Sequence, residues 1–163
     1  MEKFLVVHDY GMGGLWWWVW ARSAEEIVES LAEVEVVDPA SAGELGDLAE
    51  VRLGALPADS PLAELRDQRS AQRGQPGYGA LAGRERVWLR DDDAEFEGTV
   101  FLTEVGPDGR QLRLVEQPPD GAAVRTDDFV LNPPIDLRDP RLAEMAITAE
   151  EFEHAWQAAG EAL

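Results

Sequence analysis

Four tryptophans, Trp16, Trp17, Trp18 and Trp20, stand within five positions of the stretch "YGMGGLWWWVWARSAEE", residues 10–26. So dense a set of indoles serves as core, as a ligand cage or as a docking face. A second group is cationic. Residues 66–90 hold six arginines (Arg66, Arg69, Arg73, Arg84, Arg86 and Arg90) against Asp67 and Glu85, a local net charge of +4. Guanidinium forks match carboxylate and phosphate oxygens. Arg73, Arg84 and Arg86, with Tyr78 in the glycine-rich stretch between them, are therefore candidates for a small-anion site. The competing reading is that these arginines pair with the chain's own acids.

Other residues with chemical potential fall short of a recognisable site. His8 and His154 are the two histidines. His8 precedes Asp9, but neighbours on a strand point to opposite faces, so the two make no dyad. His8 is expected to pack on Trp17, and His154 to face solvent. Gly11, Gly13 and Gly14 follow an apolar run, as phosphate-binding glycines do. The dinucleotide fingerprint needs a glycine at position 16, where Trp16 stands, and a helix next. No Gly-Lys-Ser/Thr occurs. "DDDAEFE" at 91–97 is acidic, but lacks the alternating ligands, central glycine and distal glutamate of a calcium loop. It reads as a charged turn. No catalytic set, cofactor or metal is expected.

The charge of the whole chain sets its partners. Thirty-three acids against fourteen bases give a net −19 over 163 residues. Such a field repels nucleic acid and anionic membranes and attracts basic proteins. The bases are thirteen arginines and one lysine, and there is no cysteine. Disulfides, zinc–thiolate sites and thiol nucleophiles are thereby excluded, and a reducing, cytoplasmic setting is expected. "MEKFLVVHDY" reads as no signal peptide, and Leu15–Ala21 is too short to span a bilayer.

The elements that would position these residues follow from periodicity. "KFLVVHD" and "LWWWVWA" read as strands joined through Gly11–Gly14. Alternation puts Trp16, Trp18 and Trp20 on one face with Leu5 and Val7, and Trp17 and Val19 on the other with Phe4 and Val6. A four-residue loop at 11–14 pairs Val7 with Trp18, Leu5 with Trp20 and His8 with Trp17. Three open indoles would form a patch of roughly 450–750 Å², against about 300–600 Å² for the largest patch on a typical monomer. A helix is therefore expected over most of them. "SAEEIVESLAEVE" is an amphipathic helix capped by Ser23 with Glu26, and "VEVVDP" a short strand. "SPLAELRDQRSAQR" is a helix with Ser60 as cap and Pro61 in its first turn. "GQPGYGALAG" is a loop. Residues 39–84 as a whole read as an insertion or flexible segment. "RVWLR", "GTVFLTEV" and "RQLRLVEQ" are strands, the last two joined by "GPDG". A short strand is expected at 122–125. "ITAEEFEHAWQAAGEAL" is a closing helix with a Thr148–Glu151 capping box and an Ile147–Phe152 staple. The expectation is one α+β domain over 1–163. It has a mostly antiparallel sheet, an N-terminal Trp-rich hairpin, and two or three helices packed on it, the first and last on one face.

Three pieces of the last third, "RQLRLVEQPPDG", "DDFVLNPPIDL" and "ITAEEFEHAW", carry a resemblance. Residues 97–158 resemble small acidic bacterial proteins of unknown function, of the immunity-like or accessory type. The resemblance implies an interaction role and brings no catalytic residues. Together with the charge it favours a non-enzymatic, cytoplasmic protein that engages a basic protein, with Trp16, Trp18 and Trp20 as anchors. The alternatives are a small-anion binder or enzyme using Arg73, Arg84, Arg86 and Tyr78, and a nucleic-acid mimic built on surface carboxylates. The oligomeric state is left open.

Overall fold

The computed structural model describes every residue of the chain except 93, 94 and 96, so the acidic turn expected at 91–97 lies partly outside the described residues. The fold is α+β and its strands pair mostly antiparallel, as the alternation implied. The strands divide between two sheets, and the chain forms two compact units, Met1–Gln75 and Pro76–Leu163.

In the first unit β1 (Glu2–Asp9) and β2 (Gly14–Ala21) form the hairpin. α1 (Ala24–Ser30) and β3 (Glu35–Val37) follow. β4 (Ala49–Arg52) and α2 (Pro61–Arg73) complete the unit. The strand order is β3-β1-β2-β4, with β4 parallel to β2. The hairpin loop is Tyr10–Gly13, one residue earlier than expected, because Asp9 still pairs with Gly14. Tyr10 N donates to Gly13 O at 3.1 Å, and Gly11 N donates to the Asp9 carboxylate at 2.8 Å. Partners therefore shift by two: Leu5 meets Trp18, Val7 meets Trp16 and His8 meets Leu15. A shift of two leaves every side chain on its predicted face, since the period of a strand is two.

The unit's core lies on the Trp17 face. Val6, Trp17, Val19 and Ala21 pack against Ile27 and Leu31 of α1 and Leu62 and Leu65 of α2. Residues 39–84 thus contribute a strand and a helix whose apolar stripe is buried. Ser23 and Ser60 cap their helices as read from the sequence. Glu26 reaches the Arg22 amide at 2.7 Å, one residue before the cap.

The second unit is built on β5 (Val87–Asp91), β6 (Val100–Val105), β7 (Gln111–Gln117), β8 (Val124–Thr126) and β9 (Gly160–Glu161), in that spatial order. α3 (Leu142–Met145) and α4 (Ala149–Ala158) cover opposite faces. On one face Phe152, Ala155 and Ala159 pack on Leu102 and Val115, with Ile147 beside them as the staple predicts. On the other, Val87, Leu89 and Val105 pack with Leu81, Leu137 and Leu142. The first and last helices therefore cover different sheets, not one face of a common sheet. The full Thr148–Glu151 capping box is present, with hydrogen bonds of 2.8 and 3.1 Å.

Candidate functional site

β2 mounts Trp16, Trp18 and Trp20 on the sheet face opposite α1 and α2. The expected helix over these indoles is a correction: both helices of the unit cover Trp17's face instead. The apolar stripes of α1 and α2 pack on the face where Val6, Val19 and Ala21 surround the single indole of Trp17. Trp16, Trp18 and Trp20 are each half-buried, and Leu5 and Val7, which stand across from Trp18 and Trp16, are buried. Gly14 makes room for the Trp16 ring. A Cβ there would lie 2.9 Å from Val7 Cγ2 and 3.0 Å from Trp16 Nε1.

The polar part of this face comes from the flanking strands. Lys3 is the register partner of Trp20 on β1, and Glu50 that of Trp18 on β4. Lys3 Nζ sits 5.1 Å from the Trp18 ring centroid and 5.9 Å from that of Trp20. The ammonium also meets Glu50 Oε2 at 3.5 Å, and Trp20 Nε1 donates to Glu50 Oε1 at 2.5 Å. The indole N–H bond, followed by the charge of Lys3, holds the Glu50 carboxyl below the usual glutamate range. Neither Lys3 nor Glu50 stood out in the sequence. Neither is the only charged residue on its strand, and only the three-strand register brings them to the indoles.

The arginine island is used largely within the protein. Arg69 is 2% exposed and donates to Val28 O at 3.0 Å, Leu31 O at 3.1 Å and Gln72 Oε1 at 2.9 Å. Arg73 donates to Glu29 O, so two arginines of α2 serve the C-terminal end of α1. In the second unit, Arg86 lies 3.6 Å from Glu104 and donates to Glu85 O at 2.8 Å. Arg84 is exposed and Tyr78 is half-buried. Of the proposed anion set, Arg73 belongs to the first unit and Tyr78, Arg84 and Arg86 to the second.

A further arginine cluster was not singled out in the sequence. Arg113 pairs with Glu104 and, at 3.0 Å, with Glu153. Its guanidinium lies 4.9 Å from the ring centroids of both Phe152 and Trp156. Arg125 lies 5.1 Å from Trp156 and donates to Trp156 O at 3.0 Å. These contacts fasten α4 to its sheet.

The histidines stand apart. His8 Nδ1 is 2.8 Å from Glu33 O, and the register places it opposite Leu15 rather than Trp17. His154 is exposed, as expected. Among the described residues no cluster of His, Asp or Glu is arranged to hold a metal, and no helix is long and apolar enough to cross a membrane.

No protein-family model matches the chain, and no curated protein or solved structure gives a significant match.

Proposed function

We propose that this chain is a non-enzymatic protein-binding module, of the immunity-like or accessory kind, that engages a basic partner through the indole face of its first unit. The observation that carries this reading is the placement of Trp16, Trp18 and Trp20 on rigid strands, on the face that neither helix of the unit occupies. Indoles so placed combine large contact area with few rotatable bonds, the usual make-up of an interface anchor. The net charge of −19 supplies long-range steering toward a basic surface and disfavours nucleic acid and anionic membranes. The absence of cysteine suits a cytoplasmic location.

The test is affinity capture at low and high salt, with wild type and Trp18→Ala side by side, followed by titration of the purified partner. The expected partner is basic and binds less tightly as salt rises. Trp18→Ala is expected to weaken it about thirty-fold, as truncation of an indole anchor does. A partner that is indifferent to both salt and Trp18 overturns the reading.

A further inference from the structure

The geometry around Lys3 points to what the indole face receives. We propose that Trp18, Trp20 and Glu50 form a receptor for a lysine or arginine side chain of the partner, and that Lys3 occupies this receptor in the free chain. The inference rests on the basic-partner reading and names the group that the partner inserts.

The receptor's parts come from three adjacent strands. Trp18 and Trp20 are two apart on β2, so their rings share a face. Glu50 on β4 is fixed against the Trp20 edge by the 2.5 Å indole hydrogen bond. Indole faces are electron-rich and attract cations within about 6 Å, and a neighbouring carboxylate adds charge and hydrogen-bond acceptors. A primary ammonium already sits there, at 5.1 and 5.9 Å from the two rings and 3.5 Å from the carboxylate. It is the ammonium of the only lysine in the chain.

That ammonium is placed to leave. The Lys3 side chain is 40% exposed, and the Glu50 side chain 49%. The stem is a flexible four-carbon chain. An incoming lysine or arginine has only to displace a solvated side chain, with no movement of the sheet. Self-occupancy of this kind lowers apparent affinity by the fraction of time the receptor stands free. An exposed cation–π contact of ordinary strength makes that reduction about three- to six-fold.

The experiment uses the full chain labelled with 15N at its tryptophans and titrated with tetralysine amide. The readout is the indole N–H resonances. Lys3→Met keeps the stem and removes the charge, and Arg66→Met removes the same charge from α2, where Arg66 is half-buried and pairs with Asp67. Thermal melts verify that each variant is folded. Expected are shifts confined to Trp18 and Trp20, and about three- to six-fold tighter binding by Lys3→Met than by Arg66→Met. Adding Glu50→Gln to Lys3→Met abolishes the gain. Equal affinities for Lys3→Met and Arg66→Met overturn the proposal, as do shifts spread over all six indoles. Should Lys3→Met show no gain while the captured partner still depends on Trp18, the receptor falls and the indole-face reading stands. Should Lys3→Met bind tetralysine more tightly while the captured partner ignores Trp18 and salt, that reading falls instead.

Discussion

Arg69 offers the most direct check on how the first unit holds together. α1 has seven residues and no basic residue in its last turn, so its terminal carbonyls need donors from elsewhere. Arg69 supplies them from α2, at 3.0 Å to Val28 O and 3.1 Å to Leu31 O. Arg69→Met keeps a long apolar side chain in the same space, so little cavity results. What is lost is the partner of two carbonyls, each worth about 1–3 kcal/mol when left without a donor. Ending the burial of a guanidinium returns part of that cost. The net expectation is a loss of about 3 kcal/mol, which for a unit of this size is about 12–24 °C in Tm. Four of the six tryptophans lie at 16–20, so indole fluorescence reports this unit during thermal or urea unfolding. Arg69→Lys, with one ammonium in place of a fork, should fall between wild type and Arg69→Met. A value for Arg69→Met within about 1 kcal/mol of wild type would refute the reasoning, because solvent would then be satisfying those carbonyls.

In the second unit Gly109 has φ +84°, and a Cβ there would lie 2.2 Å from Ile135 O, so Gly109→Ala must break the 2.8 Å Ile135 N–H to Gly109 O contact. A loss of about 2–3 kcal/mol is expected from strain and the lost bond together, read by chemical denaturation with the Trp88 and Trp156 signals; an unchanged midpoint would contradict it. The Glu50 carboxyl is held low by the Trp20 N–H and then Lys3, so its contribution is present above the ordinary glutamate value of about 4.3 and lost as pH falls through the lower folded value. The Trp20 indole N–H resonance should therefore titrate with a midpoint below that value; a midpoint at or above it would show that the hydrogen bond does not favour the charged carboxylate.

Local chemistry made much of this protein legible in its sequence. Alternation along residues 4–7 and 15–21 assigned each side chain to its sheet face, and that assignment survived a two-residue shift in pairing because the strand period is two. Ser23, Ser60 and Thr148 announced their helices, because a cap is a contact between residues close in sequence. The net charge of −19 was legible from composition alone. Long-range pairing decided the rest. Two separate sheets arose where one was expected, and both helices of the first unit packed on the Trp17 face rather than over the three indoles. Arg69 became the support of a helix some forty residues earlier, and Lys3 and Glu50 met the indoles across strand pairings with Trp20 and Trp18. Periodicity and capping act over a few residues and can be read along the chain. Which strand lies beside which, and which arginine reaches which carbonyl, depends on packing energies summed over residues far apart, and is set only when the tertiary structure closes.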